Sequence, residues 1–435
     1  MGHLYHRKWF ASWVSYVWEL VTGWQQVDWL LLFLATILVL FGGLTIHSIE
    51  LVEDFNRSWQ HLLTGLVGLG LILAIARCNY RVLLQWHWLI YVLTNISLLA
   101  VMAIGVTAKG SQRWITLGGF NVQPSEFAKI GMVVTLAALL HNQDARNLGT
   151  ILRTMLITAV PWGLVFLQPD LGTSLVFGVI VVAMLYWSNI NPGWLLLLVS
   201  PLVSAVLYNL SLPGWFIWTI SITGVVWLAF PAKIPSVLGA IAINCGAVEL
   251  GNVFWNLLQD YQKDRLILFL EPEKDPLGGG YHLIQSRIAI GSGGTWGQGL
   301  FSGTQTQLNF IPEQHTDFIF SAVGEEYGFI GSMLLIGVFW LICWRLLAIA
   351  TKATDNFGSL LAIGVLSIIA FQTVVNISMT IGLAPITGIP LPLMSYGRSS
   401  LLSFALGLGL VESVANHREY KKTLFSPVTF KKQKL

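Results

Sequence analysis

The chain has 435 residues, of which 55% are hydrophobic and only 10% are charged. Soluble domains contain about 25% charged residues, so this composition, with a mean hydropathy of +0.69, excludes a water-soluble globular protein. The net charge is only +3, many of the basic residues stand at the two ends, and nothing else supports a nucleic-acid partner. Three cysteines, far apart in or beside apolar segments, exclude a disulfide framework.

Long runs without charge predict membrane-spanning helices. No Asp, Glu, Lys or Arg occurs in 29–49, 82–108, 171–232 or 356–397, and about 20 apolar residues are enough for a helix to cross the hydrocarbon layer. Proline and glycine at 189–192 and 211–214 divide the longest run into several helices. We predict an all-α polytopic membrane protein of about twelve spans, at 29–47, 59–77, 86–106, 124–142, 154–169, 171–188, 193–210, 214–231, 235–257, 325–348, 357–381 and 395–414.

The predicted spans divide the chain into five regions. Basic residues favour the cytoplasmic side of a membrane, and they occur at both termini and in the loops predicted to lie inside. We therefore expect a multi-pass protein of the cytoplasmic (inner) membrane with both termini in the cytoplasm. The predicted regions are a cytoplasmic or interfacial segment 1–28, nine spans in 29–257, an extracytoplasmic catalytic loop 258–324, three spans in 325–414, and a basic cytoplasmic tail 415–435.

Four charged residues lie at or near the predicted ends of spans before the loop. Arg113 could bind a phosphate group through two hydrogen bonds, or lie at the interface as a snorkelling arginine. Glu126 and Lys129 share one helix face after Pro124, where they form either a mutual ion pair or a cation that attracts phosphate. Asp170 begins a span, where an acid is favoured by the helix dipole whether or not it has a functional role.

Asp275 is the strongest candidate for a catalytic residue. The proline that follows it disfavours the α conformation at Asp275, and the glycines at 278–280 allow the backbone to approach a ligand closely. A carboxylate presented in this way fits a general base that deprotonates a substrate hydroxyl. The same pattern also occurs in ordinary turns, so this spacing alone leaves both interpretations open.

The sequence gives little support for a required metal or cofactor. His282 and His315 lie far apart without a short-range second ligand, which disfavours zinc. The carboxylates Asp275, Glu313 and Asp317 would suit a hard cation. We expect no required cofactor, with a divalent cation (Mg²⁺ or Mn²⁺) as the open alternative.

Seven motifs occur in one order along the chain. They are Ser111-Gln-Arg-Trp-Ile115, Gln123-Pro-Ser-Glu-Phe-Ala-Lys129, Gln168-Pro-Asp-Leu-Gly-Thr173, Asp275-Pro-Leu-Gly-Gly-Gly-Tyr-His-Leu-Ile-Gln-Ser286, Gly303-Thr-Gln-Thr-Gln-Leu308, Pro312-Glu-Gln-His-Thr-Asp-Phe-Ile-Phe320 and Gly388-Ile-Pro-Leu-Pro392. This pattern resembles the shape, elongation, division and sporulation (SEDS) family over nearly the whole chain, and its RodA branch more than its FtsW branch.

The resemblance implies a peptidoglycan glycosyltransferase that polymerises lipid II on the outer face of the cytoplasmic membrane during elongation and releases undecaprenyl pyrophosphate. It implies Asp275 as the catalytic residue, a class B penicillin-binding protein as partner, and work within the elongation machinery. We expect an inverting reaction with an aspartate base. The predicted substrate-binding residues are Glu126, Lys129, Asp170, Arg113, His282, Gln285, His315 and Asp317.

Two features depart from the family pattern. The family has about ten spans, which makes 189–260 the place of an extra helical pair, and Arg398 replaces a glycine in Ser-Tyr-Gly-Gly. The alternative function is a lipid II flippase or transporter, which would also need charged residues within the membrane. A transport path predicts charges through the midplane, whereas Glu126, Lys129 and Asp170 lie near the predicted outer ends of their helices. A purely structural scaffold would leave the Asp-Pro and three glycines unexplained.

Overall fold

The computed structural model describes residues 24, 26–51, 56–108, 111–117, 120–142, 148–276, 278 and 280–418. Most of the predicted terminal regions 1–28 and 415–435 lies outside these residues. The helices, in chain order, are α1 (Trp29–Glu50), α2 (Arg57–Arg77), α3 (Leu83–Ile104), α4 (Pro124–Leu140), α5 (Leu148–Leu167), α6 (Leu171–Trp187), α7 (Pro192–Leu210), α8 (Leu212–Ala229), α9 (Lys233–Leu257), α10 (Asp260–Leu270), α11 (Tyr281–Ser292), α12 (Thr304–Gln307), α13 (Ile319–Thr351), α14 (Asn356–Ile381) and α15 (Arg398–Asn416).

The prediction of an all-α polytopic membrane protein is confirmed. Within the described residues, ten helices are long and apolar enough to cross a membrane. Two further predicted spans are the helices α4 and α6, each of 17 residues, about 25 Å long at 1.5 Å per residue. A helix of this length is at the lower limit for crossing the hydrocarbon layer. The exact number of twelve spans therefore stays a prediction.

Several helices begin where the sequence places a capping residue. The side chain of Asp28 accepts a hydrogen bond from the backbone N–H of Leu31 at 3.2 Å, at the start of α1. Asn191 caps α7, which begins at Pro192, and Ser211 caps α8. Such residues satisfy N–H groups that the first turn leaves without a partner. The long uncharged run is therefore divided at the two predicted breaks.

The start of the first helix and the end of the last one meet at one end of the bundle, here called the terminal end. The backbone N–H of Asp28 donates to Glu412 Oε2 at 2.8 Å, and Arg345 Nε donates to Asp28 Oδ2 at 3.0 Å. Gln26 N–H donates to Asn416 Oδ1 at 3.3 Å. These contacts place the start of α1 and the end of α15 on the same side of the bundle.

The polar segment lies at the opposite end of the bundle, here called the loop end. Ser48, in the last turn of α1, donates a hydrogen bond to Glu326, and Arg57 Nη1 at the start of α2 lies 3.4 Å from His315 Nδ1. The helix α13 begins at Ile319, six residues before the start predicted at 325. Gly328 interrupts it with φ 64° and ψ −160°, so its first turns form a separate short helix that begins within the predicted loop.

A small antiparallel sheet at the loop end was not anticipated from the sequence. It consists of β1 (Val106–Ala108), β2 (Ser111–Leu117) and β3 (Phe120–Val122), in that spatial order. The strands occupy the connection between α3 and α4. They hold Arg113 in the middle strand rather than on a flexible interfacial loop.

The helices α7, α8 and α9 pack on one another around a small apolar core of their own. That core contains Leu197, Ile222, Val226, Phe230 and Ala240. A larger core joins the remaining spans, including α1, α4, α6, α13, α14 and α15. The three-helix unit occupies the region in which the sequence predicted an extra helical pair.

Candidate active site at the loop end

Asp275 stands on exposed, non-helical backbone, as its following proline predicted. A short 3₁₀ helix, Pro272–Lys274, ends at Asp275, whose φ is −143° and ψ 73°. Its Oδ1 accepts a hydrogen bond from the backbone N–H of Gly278 at 3.0 Å. The carboxylate is therefore fixed by its own turn and remains open to solvent at the loop end.

Two glycines are required by the close packing of this turn. A Cβ added at Gly278 would lie 2.1 Å from Asp275 Oδ2, and a Cβ at Gly280 would lie 2.3 Å from the carbonyl oxygen of Pro272. Both distances are far below van der Waals contact, so a side chain at Gly280 would displace the backbone of the turn, and one at Gly278 would displace the carboxylate of Asp275. The glycines thus serve the conformation of Asp275, whereas the sequence analysis interpreted them as allowing the backbone to approach a ligand closely.

Glu126 and Lys129 form a buried ion pair on the first turns of α4. Lys129 Nζ lies 2.9 Å from both carboxylate oxygens of Glu126, and the exposed fractions of the two side chains are 1% and 4%. The ammonium group thus has two of its three donors engaged and is sealed from solvent. Of the two interpretations left open above, the mutual ion pair describes this conformation.

Arg113 and Asp170 meet at the connection between α5 and α6. Arg113 Nη1 lies 3.7 Å from Asp170 Oδ1, its Nε donates to the carbonyl of Gln168 at 3.2 Å, and its Nη2 donates to the carbonyl of Pro169. Asp170 caps α6 by accepting from the backbone N–H of Thr173 at 3.1 Å. Arg113 therefore fixes the loop that positions Asp170, a role that its sequence motif did not predict.

The helix α10 connects this loop to the rest of the site. Tyr261 Oη donates to the carbonyl of Pro169 at 2.9 Å, and Gln262 Nε2 donates to the same oxygen at 3.0 Å. One turn further along α10, Arg265 points to the loop at Gly388. A Cβ added at Gly388 would lie 3.5 Å from Asp317 Oδ2 and 3.8 Å from Arg265 Nη1, so the two side chains converge there.

Sequence reasoning did not single out Arg265. Its guanidinium lies 5.5 Å from the ring centroid of Tyr261, and the residue is exposed. The available signal was its spacing: Arg265 follows Tyr261 by one helical turn, so both side chains lie on one face of α10. The convergence of that face with Asp317 could not be read from the sequence because the two are separated by about fifty residues of chain.

The remaining predicted residues lie on α11 and on the loop before α13. The ring of His282 stacks on that of Phe318, with 6.0 Å between centroids, and Gln285 is half-buried on the same helix. The ring of His315 lies 5.8 Å from that of Tyr396. These contacts join α11, the loop 312–317 and the segment before α15 into one surface.

A buried carboxylate organises the loop between α11 and α13. Glu325 is fully buried and accepts hydrogen bonds from the backbone N–H groups of Gln305 and Thr306, each at 2.8 Å, and from the hydroxyl of Thr306 at 2.6 Å. Gln314 Nε2 donates to Thr306 Oγ1 at 3.0 Å. Glu325 therefore holds α12 and, through Thr306, the residue before His315.

The nine predicted residues lie in three groups along the elements of the loop end. Glu126, Lys129, Asp170 and Arg113 lie around the start of α4 and α6, His315 and Asp317 lie on the loop before α13, and Asp275, His282 and Gln285 lie on or before α11. Among the described residues, no three His, Cys, Asp or Glu side chains are grouped to hold a metal ion. The divalent cation stays a prediction.

The fold and this site define a polytopic helical membrane protein with a polar site at one end of its bundle. Residues 25–420 match a family model described as "Cell cycle protein", of the FtsW/RodA/SpoVE family. The chain is 35% identical to the peptidoglycan glycosyltransferase MrdB of Escherichia coli K12, over 92% of this chain and 96% of that protein. It is 34% identical to the peptidoglycan glycosyltransferase RodA of Treponema pallidum, over 91% and 98% of the two chains.

Solved structures of proteins with related descriptions also have a similar fold. A chain from a structure described as "Structural coordination of polymerization and crosslinking by a peptidoglycan synthase complex" superposes with a TM-score of 0.69 at 27% identity, covering 91% of this chain and all of that one. RodA of Thermus thermophilus gives 0.60 at 25% identity, over 91% and 98% of the two chains. The chain belongs to the FtsW/RodA/SpoVE family, which is the SEDS family that its motifs indicated.

Proposed function

We propose that this chain is a peptidoglycan glycosyltransferase that joins lipid II molecules into glycan strands at the loop end of its helix bundle. The observation that carries the proposal is the presentation of Asp275. Its carboxylate is exposed, fixed by the N–H of Gly278, and set in a turn whose glycines cannot be replaced without displacing it. Relatives at 34–35% identity carry the name of this activity.

In the proposed reaction, Asp275 accepts the proton of the 4-hydroxyl of the acceptor N-acetylglucosamine. The oxygen attacks C1 of the donor N-acetylmuramic acid as the bond from C1 to the pyrophosphate oxygen breaks. Undecaprenyl pyrophosphate leaves with the electron pair, and a single displacement inverts C1. A base must lie within hydrogen-bond reach of the proton that it takes, which an exposed carboxylate on a fixed turn permits.

The leaving pyrophosphate needs positive charge rather than an acid. Lys129 and Arg113 were the predicted cations, but Lys129 is sealed against Glu126 and Arg113 is bound to the carbonyls of Gln168 and Pro169. Arg265 is exposed on α10 beside Asp317. We therefore propose that Arg265 binds the pyrophosphate in their place, and assign to Lys129 and Arg113 the stability of the helix and loop that they hold.

The proposed reaction takes place at the outer face of the cytoplasmic membrane, and both termini of the chain lie in the cytoplasm. Basic residues at the termini and in the connections at the terminal end favour this orientation. The proposed partner is a class B penicillin-binding protein, whose transpeptidase would cross-link the new strand. The structural relative from a peptidoglycan synthase complex supports a partnership of this kind.

The test is polymerisation of labelled lipid II by the purified full-length chain in detergent, with and without Mg²⁺ or Mn²⁺. Wild-type protein should produce long glycan, and Asp275→Asn, which keeps the size of the side chain, should produce none. A control variant, Asp260→Asn, removes a fully exposed carboxylate from the start of α10 and should polymerise normally. Normal glycan from Asp275→Asn would remove this residue from the mechanism.

A further inference from the structure

The helix α9 carries a stripe of polar residues on a face that packs against no other part of the described chain. The stripe consists of Cys245, Glu249, Asn252 and Asn256, all of them exposed. At about 100° per residue, the four positions fall within an arc of about 60° on the helix surface. We call this the α9 stripe.

The stripe points away from every neighbour that α9 has. Its buried residues, Ala240, Asn244, Ala247 and Val248, lie on the side that packs against α7 and α8. The ring of Phe254 meets that of Trp162 on α5, with 6.1 Å between centroids. Phe254 lies at about 170° around the helix from the centre of the stripe, and the four buried residues lie at about 125° on average, with Val248 the nearest at about 70°.

The polar side chains on the two sides of α9 differ in whether they have hydrogen-bond partners. On the buried side, Asn244 Oδ1 accepts from the hydroxyl of Ser200 at 2.8 Å, and its Nδ2 donates to the carbonyl of Ala240 at 2.9 Å. Across the described chain, by contrast, the side chains of Glu249, Asn252 and Asn256 have no hydrogen-bond or ion-pair partner. The unit is thus complete on one face and lacks partners on the other.

The depth of Glu249 makes this absence costly in a membrane. Glu249 lies eight positions before Leu257, the residue that ends this 25-residue helix at the loop end. At 1.5 Å per residue, Glu249 is therefore about 12 Å from that end of the helix. Lipid tails offer no donor to a carboxylate, and charged side chains at such depths are found paired or facing polar cavities. Lipid alone is therefore a poor occupant of this face.

The charge of the stripe decides between the remaining occupants. Two copies of this chain share one orientation in the membrane, and a two-fold contact along the stripe would set Glu249 against its own equivalent. A pyrophosphate would be repelled by the same carboxylate. A cationic side chain would pair with Glu249, and the amides of Asn252 and Asn256 would add hydrogen bonds of the kind that join helices in membranes.

We propose that the α9 stripe binds a membrane-spanning helix of another protein that carries a lysine or arginine at the depth of Glu249. The three-helix unit α7–α9 then serves as an attachment point for that partner, separate from the polar site at the loop end.

Cys245 provides a native probe for this contact. The chain has three cysteines, so Cys78→Ala and Cys343→Ala leave Cys245 as the single thiol, one turn before Glu249. The full-length variant is placed in phosphatidylcholine vesicles with one of two polyleucine spanning peptides. One peptide has a lysine at the depth of Glu249 and the other a leucine, and both have a cysteine one turn away. The yield of disulfide between Cys245 and each peptide is measured under mild oxidation.

The lysine peptide should cross-link about fivefold more than the leucine peptide, the size expected of a polar contact between helices in a membrane. Glu249→Gln should abolish the difference. A relocation control, Glu249→Gln with Leu250→Glu, keeps the charge but turns it by about 100° and should not restore it. Equal yields for the two peptides, or a preference that survives Glu249→Gln, would overturn the proposal. A dominant disulfide between two Cys245 residues would assign the face to a second copy of the chain instead.

Discussion

Replacing Lys129 with methionine should destabilise the fold rather than weaken substrate binding. The exposed fraction of Lys129 is 1%, and its ammonium is 2.9 Å from both oxygens of Glu126. Without it, the Glu126 carboxylate stays buried with no cation beside it. Removing one partner of a buried pair costs about 3–5 kcal/mol, whereas replacing both partners by apolar residues of similar volume is often neutral. The free energy of unfolding of Lys129→Met should therefore fall by about 3–5 kcal/mol.

The assay is a double-mutant cycle on detergent-solubilised protein, with unfolding by denaturant and lipid II polymerisation measured on the same samples. Glu126→Leu combined with Lys129→Met should be more stable than Lys129→Met alone, because no uncompensated charge remains. For variants that stay folded, KM for lipid II should change little. An unfolding free energy equal to that of wild type, together with a raised KM for lipid II, would refute the reasoning and would indicate that Lys129 binds the substrate.

Three further predictions follow from named contacts. Gly278→Ala should lower the polymerisation rate about 100-fold without unfolding the protein, because its Cβ would displace the carboxylate of Asp275; Gly291→Ala, whose Cβ meets nothing within 4 Å, is the control. Glu325→Ala should leave the N–H groups of Gln305 and Thr306 without this acceptor, at about 1–3 kcal/mol for the buried one at Thr306, and limited proteolysis should then cut 303–308 faster. Burial alone would raise the pKa of Asp355, but hydrogen bonds from Gly358 N–H, Tyr80 and Arg81 outweigh it and hold that pKa below its usual value. Its stabilising contribution is then present above the unfolded pKa and is lost as the pH falls through the folded one, so Asp355→Asn should be less stable than wild type at pH 7 and converge with it in acid.

The ordered motifs gave the family, and hydropathy gave the class of fold, because a helix in lipid must satisfy its own backbone and needs a run of apolar residues of fixed length. The breaks at Asn191 and Ser211 were predictable for the same local reason, since a cap and a following proline or glycine act within one turn. The conformation at Asp275 was also predictable, because Pro276 restricts the residue before it.

The partners of the site residues were decided only by the tertiary structure. Whether Lys129 faces Glu126 or a substrate depends on what closes over the start of α4. Arg265 and Asp317 both lie beside Gly388 only because α10 is docked on the carbonyl of Pro169. Span positions and the local turn at Asp275 follow from forces that act within a few residues. Ion pairs and convergent side chains depend on contacts between segments far apart in the chain, which no local pattern specifies.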